Sequence, residues 1–360
     1  DLKQMNKRLI WELKEELDNI EGTMTFMEVC GTHTMEIGKM SLRNFLGNKV
    51  KLISGPGCPV CVTPSLYIDY IYSLALNKNI SVITYGDMLR VPGTSPLISL
   101  ERARALGGDI RVVYSSVDAI EIAKEEKNKN FVFLGIGFET TIPSTCVLLE
   151  EIMNKDIRNL FVFSMHKRVE PVMETIMADK ELKLDGFLCP GNVAVILGER
   201  DFEFIKEYGQ LGVIAGFKED EIIEAIIQLI RNKGSKKIIN CYKSFVSREG
   251  NIVAKELINK YFKESQSLWR GLGNIDKSGL VLKDDYKEKD ILNKFPLDEE
   301  LKLITRSKEK YVCRCGEVLK GRILPCECSS FKRVCTPAFP IGPCMVSSEG
   351  TCAAYYKYEG

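Results

Sequence analysis

Eight short apolar runs with β propensity, arranged as two successive sets of four, limit the folds open to this chain. The first set is Thr25–Val29, Val50–Ile53, Ser81–Tyr85 and Arg111–Tyr114; the second is Phe131–Ile136, Leu160–Ser164, Gly186–Leu188 and Gly212–Ala215. Stretches of helical periodicity such as Glu219–Arg231 separate them. Runs this short and this apolar suit parallel strands covered on both faces. The expected fold is therefore α/β, with two similar doubly wound parallel-sheet domains facing a cleft, residues 23–125 and 126–239. No residue-by-residue repeat joins them. From about Asn240 the alternation is lost, and the charged stretch Lys283–Lys294 reads as a solvated connector to a cysteine-rich tail that begins near Tyr311. A third domain is placed at 240–360, with the amphipathic N-terminal helix, residues 1–22, as a candidate to pack on it. A length of 360 residues agrees with several cores.

The formal net charge of +1, from 50 basic and 49 acidic residues, gives no electrostatic case for nucleic acid or an anionic membrane as principal partner. No run of 18 apolar residues and no apolar signal core occur, so a cytoplasmic protein is expected. Thirteen cysteines in such a chain point to metal ligation and redox thiols instead of a disulfide framework. With His33 and His166 the only histidines, a site built from three imidazoles is excluded.

The unusual residues sit in loops after the expected strands, where open α/β sheets bind ligands. Cys30 in CGTHTM ends the first strand ahead of a helical segment, where a helix dipole would favour its thiolate, and His33 lies three residues on. Cys58 and Cys61 form a CxxC turn in GPGCPVC, readable as a dithiol couple or as half a zinc site; Cys30, His33, Cys58 and Cys61 together could also make a Cys₃His zinc site. Seven of the thirteen cysteines fall between Cys313 and Cys352. Four thiolates suffice for a [4Fe–4S] cluster, although tetrahedral sulfur also suits zinc. In the second half, Glu139, Thr140 and Thr141 of GIGFETT resemble a phosphate-binding glycine turn without its third glycine. With His166, Lys167, Cys189 and Asn192 at equivalent strand ends, they suggest a partner or substrate surface. Cys146 and Cys241 lie in apolar runs and are expected in the core.

CGTHTM, GPGCPVC, GFETT, CPGN and the ending CMVSSEGTCAAYYKY, in this order over nearly the whole chain, resemble the HypD family of [NiFe]-hydrogenase maturation proteins. The resemblance implies an assembly scaffold more than a stand-alone enzyme. With a HypC-type chaperone, such a scaffold holds an iron ion while it receives CN and CO ligands, cyanide arriving from a HypE-type donor. It further implies Cys30 as the iron-site cysteine with His33 beside it, Cys58 and Cys61 as a redox pair, and a [4Fe–4S] cluster in the tail. Family-like spacing selects Cys315, Cys328, Cys335 and Cys352 for that cluster, with Cys344 and Cys326 as alternatives. The competing readings are an iron–sulfur thiol–disulfide oxidoreductase and a zinc-bound structural adaptor.

Overall fold

The computed structural model describes residues 6–297 and 313–359, so the expected start of the tail near Tyr311 lies outside the described residues. Nine strands form two wholly parallel sheets. The first orders β2 (Val50–Ser54), β1 (Met24–Glu28), β7 (Gly186–Pro190), β8 (Gly212–Ala215) and β9 (Ile238–Asn240). The second orders β4 (Asp109–Val112), β3 (Ile80–Thr84), β5 (Asn130–Gly135) and β6 (Leu160–Ser164). Every residue of β3 and β7 is buried, as expected for strands covered on both faces by helices.

The α/β class is as expected, but the strands are not shared out in sequence order. β1 and β2 pair with β7–β9, and β3–β6 form the second sheet between them in the chain. Boundaries at 23–125 and 126–239 therefore cut both sheets. All the runs are similarly short and apolar, so their pattern reports strand character without reporting which strand is the neighbour.

The helix α1 (Lys7–Asp18) starts at Asn6, whose side chain accepts a hydrogen bond from the Arg8 N–H. Its buried Leu13 and Leu17 pack with Ile20 against Ile222, Ile223 and Ile226 of the helix Glu219–Arg231. Each leucine contributes about 1.5–3 kcal/mol by burial. The half-exposed contacts of Arg231 with Glu12 and Glu16, at 2.8 and 2.7 Å, each add at most about 1 kcal/mol. The N-terminal helix thus belongs to the first sheet, not to the C-terminal region. The C-terminal helix Thr351–Tyr358 packs instead on α2 (Gly31–Lys39).

An antiparallel hairpin, β10 (Phe262–Trp269) and β11 (Gly273–Leu282), follows the two sheets. The mostly polar FKESQSLW hides it in the sequence. Phe262, Leu280 and Leu282 nevertheless pack against the second sheet's core. Residues 283–294 are no solvated connector: Ile291 is fully buried, and Lys289 turns inward to donate to the Ile157 carbonyl at 2.9 Å. Among the described residues no helix is long and apolar enough to cross a membrane.

A candidate thiol and metal centre

The parallel register of β1 and β2 sets Glu28 beside Ser54, so the two loops that follow leave the sheet side by side. Gly57 then lies directly on the Cys30 backbone. A Cβ there would stand 2.3 Å from the Cys30 nitrogen, and the Gly31 N–H donates to the Gly57 carbonyl at 3.2 Å. Only glycine permits this approach. Cys30 holds the N-cap position of α2, while Cys58 caps the short helix α3 (Pro59–Val62) and forms a disulfide with Cys61. CGTHT and GPGCPVC are thus one structural unit.

Cys30 is partly exposed. Crowding by neighbouring atoms pushes its thiol up to about 11, with the Glu349 carboxylate acting in the same direction; backbone N–H groups of His33 and Thr32 act against them. The helix terminus expected to lower this pKa is outweighed by desolvation. His33 is fully buried, stacked on Phe217 with ring centroids 4.7 Å apart. Burial lowers its pKa to about 4, so the ring is neutral near pH 7. Its Nε2 lies 2.8 Å from the Gly216 carbonyl, which makes Nε2–H the donor and leaves Nδ1, buried and unpartnered, as a free acceptor. Gly216 and Phe217, just past β8, carry no motif that would have singled them out in the sequence.

The tail reaches this unit from the other side. Glu349 packs on Gly31, where a Cβ would meet its carbonyl oxygen at 2.4 Å, and its carboxylate accepts from Thr32 Oγ1 at 2.7 Å. The turn Pro343–Met345, which holds Cys344, packs on α3, the disulfide helix. A buried ion network of Glu28, Arg43 and Glu359 fastens the C-terminal helix, with the Arg43 guanidinium 4.9 Å from the Tyr355 ring centroid.

Six tail cysteines, Cys313, Cys315, Cys328, Cys335, Cys344 and Cys352, line one cavity with Val318, Phe331, Ile341 and Met345. Cys326 is exposed and does not line it, whereas its CEC neighbour Cys328 does. All six are free thiols. Cys315 accepts hydrogen bonds from Cys313 and Cys344, which favour its thiolate and keep its two donors protonated. Such crowded thiols shed their protons together only against a cation, and an all-sulfur donor set in an apolar cavity fits an iron–sulfur cluster or zinc. Among the described residues no three of these side chains share one coordinating point, so side-chain rotation has to complete a ligand set.

The residues expected to form a partner surface lie elsewhere, and most are buried. His166 is 1% exposed, with its ring nitrogens 3.2 Å from Thr145 Oγ1 and Ser164 Oγ. Lys167 is equally buried, donating to the Leu268 carbonyl at 2.9 Å and to Ser267 Oγ; burial lowers its pKa to about 7. Cys189 is core. Glu139 is buried, its Oε1 accepting from the Val169 N–H at 3.0 Å. Thr141 closes the glycine turn by donating to the Ile136 carbonyl at 2.8 Å, and its side chain fills the space above Gly137. That turn is a self-capped corner, not an open phosphate cradle. Thr140 and Asn192 are exposed. GIGFETT and the His166 loop meet each other and the hairpin, whereas CGTHT and GPGCPVC meet the tail.

The family described as "HypD: Hydrogenase formation hypA family" matches residues 4–359. The chain belongs to the HypD family of hydrogenase maturation factors. Its HypD relatives include the maturation factor HypD2 of Bradyrhizobium diazoefficiens, 41% identical over 343 residues, covering 92% of this chain and 89% of the relative. HypD of Rhodobacter capsulatus is 37% identical over 362 residues, covering 98% and 95%. HypD of Escherichia coli is 36% identical over 365 residues, again covering 98% and 95%.

Proposed function

We propose that this HypD-family chain is a scaffold on which, together with a HypC-type chaperone, an iron ion receives CN and CO ligands before delivery to a hydrogenase. The observation that carries the reading is the meeting of three thiol groups in one place. Cys30 is joined to the Cys58–Cys61 turn through Gly57 and to the tail through Glu349, and the tail turn that carries Cys344 of the thiol-lined cavity packs on the disulfide helix. Iron is the cargo. A partly exposed Cys30 thiolate is a soft ligand for it and leaves room for a second protein's ligand and for diatomic groups. His33, held neutral with Nδ1 free, keeps a hydrogen-bond acceptor three residues from Cys30. The Cys58–Cys61 disulfide can take up two electrons and two protons to give two thiols.

In the tail, Cys315, Cys328, Cys335 and Cys352, with Cys344 as alternative, are the residues that would hold a [4Fe–4S] cluster, whose chemistry is one-electron storage. Thr140 and Asn192 remain the accessible candidates for contact with a HypE-type cyanide donor. Cytoplasmic placement goes with this role.

The test is Cys30→Ala, purified anaerobically with the chaperone. The infrared bands of CN and CO should vanish while the brown chromophore of the tail remains; bands that persist would remove Cys30 from the role. The packing of Cys344 against the disulfide helix also supports a thiol–disulfide oxidoreductase. Rapid turnover of a generic protein disulfide without the chaperone would favour that reading.

A further inference from the structure

We propose that the outer face of the tail is a docking surface for a small acidic one-electron carrier protein. The inference rests on the redox reading of the tail and names where its electrons come from. Ile341 lines the thiol cavity on its inner side and two surface depressions on its outer side. One depression opens beside Cys313 and Cys315 and is walled by Arg270, Arg314, Lys320 and Arg322. Its one acidic wall residue, Glu317, is held by Arg314 at 3.0 Å, and Arg322 is paired with Asp179 and Glu181. Arg270 and Lys320 have no carboxylate in salt-bridge contact among the described residues. The second depression shares Pro96 and Ile341 with the first and presents Leu97, Val334 and Phe339, which are 68, 62 and 77% exposed.

The charge of the tail is sorted to match. Between Cys313 and Glu359 the chain carries six lysines and arginines and four glutamates. Two of those glutamates turn toward the α/β portion, Glu349 to Thr32 and Glu359 to Arg43. The cations at Lys320, Arg322, Lys332 and Arg333 stay on the outside or at its edge. A basic rim around an apolar patch, one side chain away from a nest of thiols and beside the disulfide helix, whose Val62 carbonyl accepts from the Arg270 N–H at 2.8 Å, is complementary to an acidic carrier protein. Two reduced carriers, each giving one electron, together with two protons from solvent, balance the reduction of the Cys58–Cys61 disulfide to two thiols and leave two oxidised carriers.

The experiment measures binding of a plant-type acidic ferredoxin to the full chain, with and without its metal, by calorimetry at low and moderate salt. A basic cytochrome c of similar size is the control. Affinity for ferredoxin should fall about tenfold or more between ~20 and ~200 mM salt, and again on Lys320→Glu or Phe339→Ser, while cytochrome c does not bind. The rate of cluster reduction by ferredoxin should fall with the same variants, whereas reduction by methyl viologen radical cation should not slow. Equal binding of both proteins, or ferredoxin binding unchanged by Lys320→Glu, overturns the proposal. So does self-association of the chain that Phe339→Ser abolishes, because the patch would then face a second copy. A colourless protein that still binds ferredoxin in this salt-dependent way would sink the cluster reading and leave the docking surface standing.

Discussion

Thr32 and Glu349, 317 positions apart in the chain, share a hydrogen bond of 2.7 Å at the threshold of the Cys30 thiol. The carboxylate adds to burial in holding that thiol protonated. Glu349→Gln keeps a hydrogen-bond acceptor for Thr32 and removes the charge. The Cys30 pKa should then drop below its value of about 11, and alkylation of Cys30 at pH 8–9 should quicken. The pH profile of iodoacetamide labelling, read at Cys30 by mass spectrometry, checks it; an unshifted profile contradicts the carboxylate's role.

Gly57→Ala places a methyl group 2.3 Å from the Cys30 nitrogen. Neither backbone can yield without moving a loop, so the CxxC turn should part from Cys30. The expected outcome is a folded protein that loses iron bound at Cys30 but keeps the absorbance of its tail. Wild-type iron content in the chaperone complex would show that the close approach is dispensable.

Arg43 neutralises two carboxylates, Glu28 and Glu359, in a site where its own side chain is only 11% exposed. Arg43→Met leaves both uncompensated, with Glu28 Oε2 already lacking a partner. Loss of a buried pair's partner costs about 3–5 kcal/mol. Chemical denaturation should show a loss of that order, and the C-terminal helix should gain amide exchange first. Glu359→Gln should cost less, since Arg43 keeps Glu28.

Burial raises the Glu139 carboxyl to about 7, above the ~4.3 of an unfolded chain. Between these values the folded state holds the extra proton, so the stability contributed by Glu139 is intact below about pH 4 and is lost as pH rises to 7. Glu139→Gln keeps the acceptor for the Val169 N–H. The variant should therefore gain stability over the parent progressively from pH 5 to 7 and hold that gain above pH 7. Urea unfolding at pH 5 and pH 8 measures the difference; a gain equal at both values contradicts the assignment.

Strand positions were legible because period and composition are local. Runs such as Phe131–Ile136 and Leu160–Ser164 fall on β5 and β6 almost to the residue. Sheet membership was not legible, because the pairing of β1 with β7 depends on partners more than 150 positions away. His166 and Lys167 read as surface residues because a histidine and a lysine in a loop ordinarily are. Here the polar hairpin β10–β11 folds over them and supplies the acceptors for Lys167, while Thr145 and Ser164 partner the His166 ring, and so burial becomes tolerable. Of the candidate site, Cys30, His33 and the CxxC pair stand out in the sequence. Their supports, Gly216, Phe217 and Glu349, are ordinary residues made important by what they touch.

The interleaving of the first sheet bears on the order in which the protein is made. β1 and β2, with the loops that carry Cys30 and the CxxC pair, leave the ribosome before any of β3–β6, yet their sheet cannot close until β7 follows. The second sheet, contiguous in the chain, can close first. Throughout that interval Cys30, Cys58 and Cys61 belong to an unfinished sheet, without the tail that later covers them, so the thiols of the candidate site are the ones exposed longest to stray metal and oxidant during synthesis.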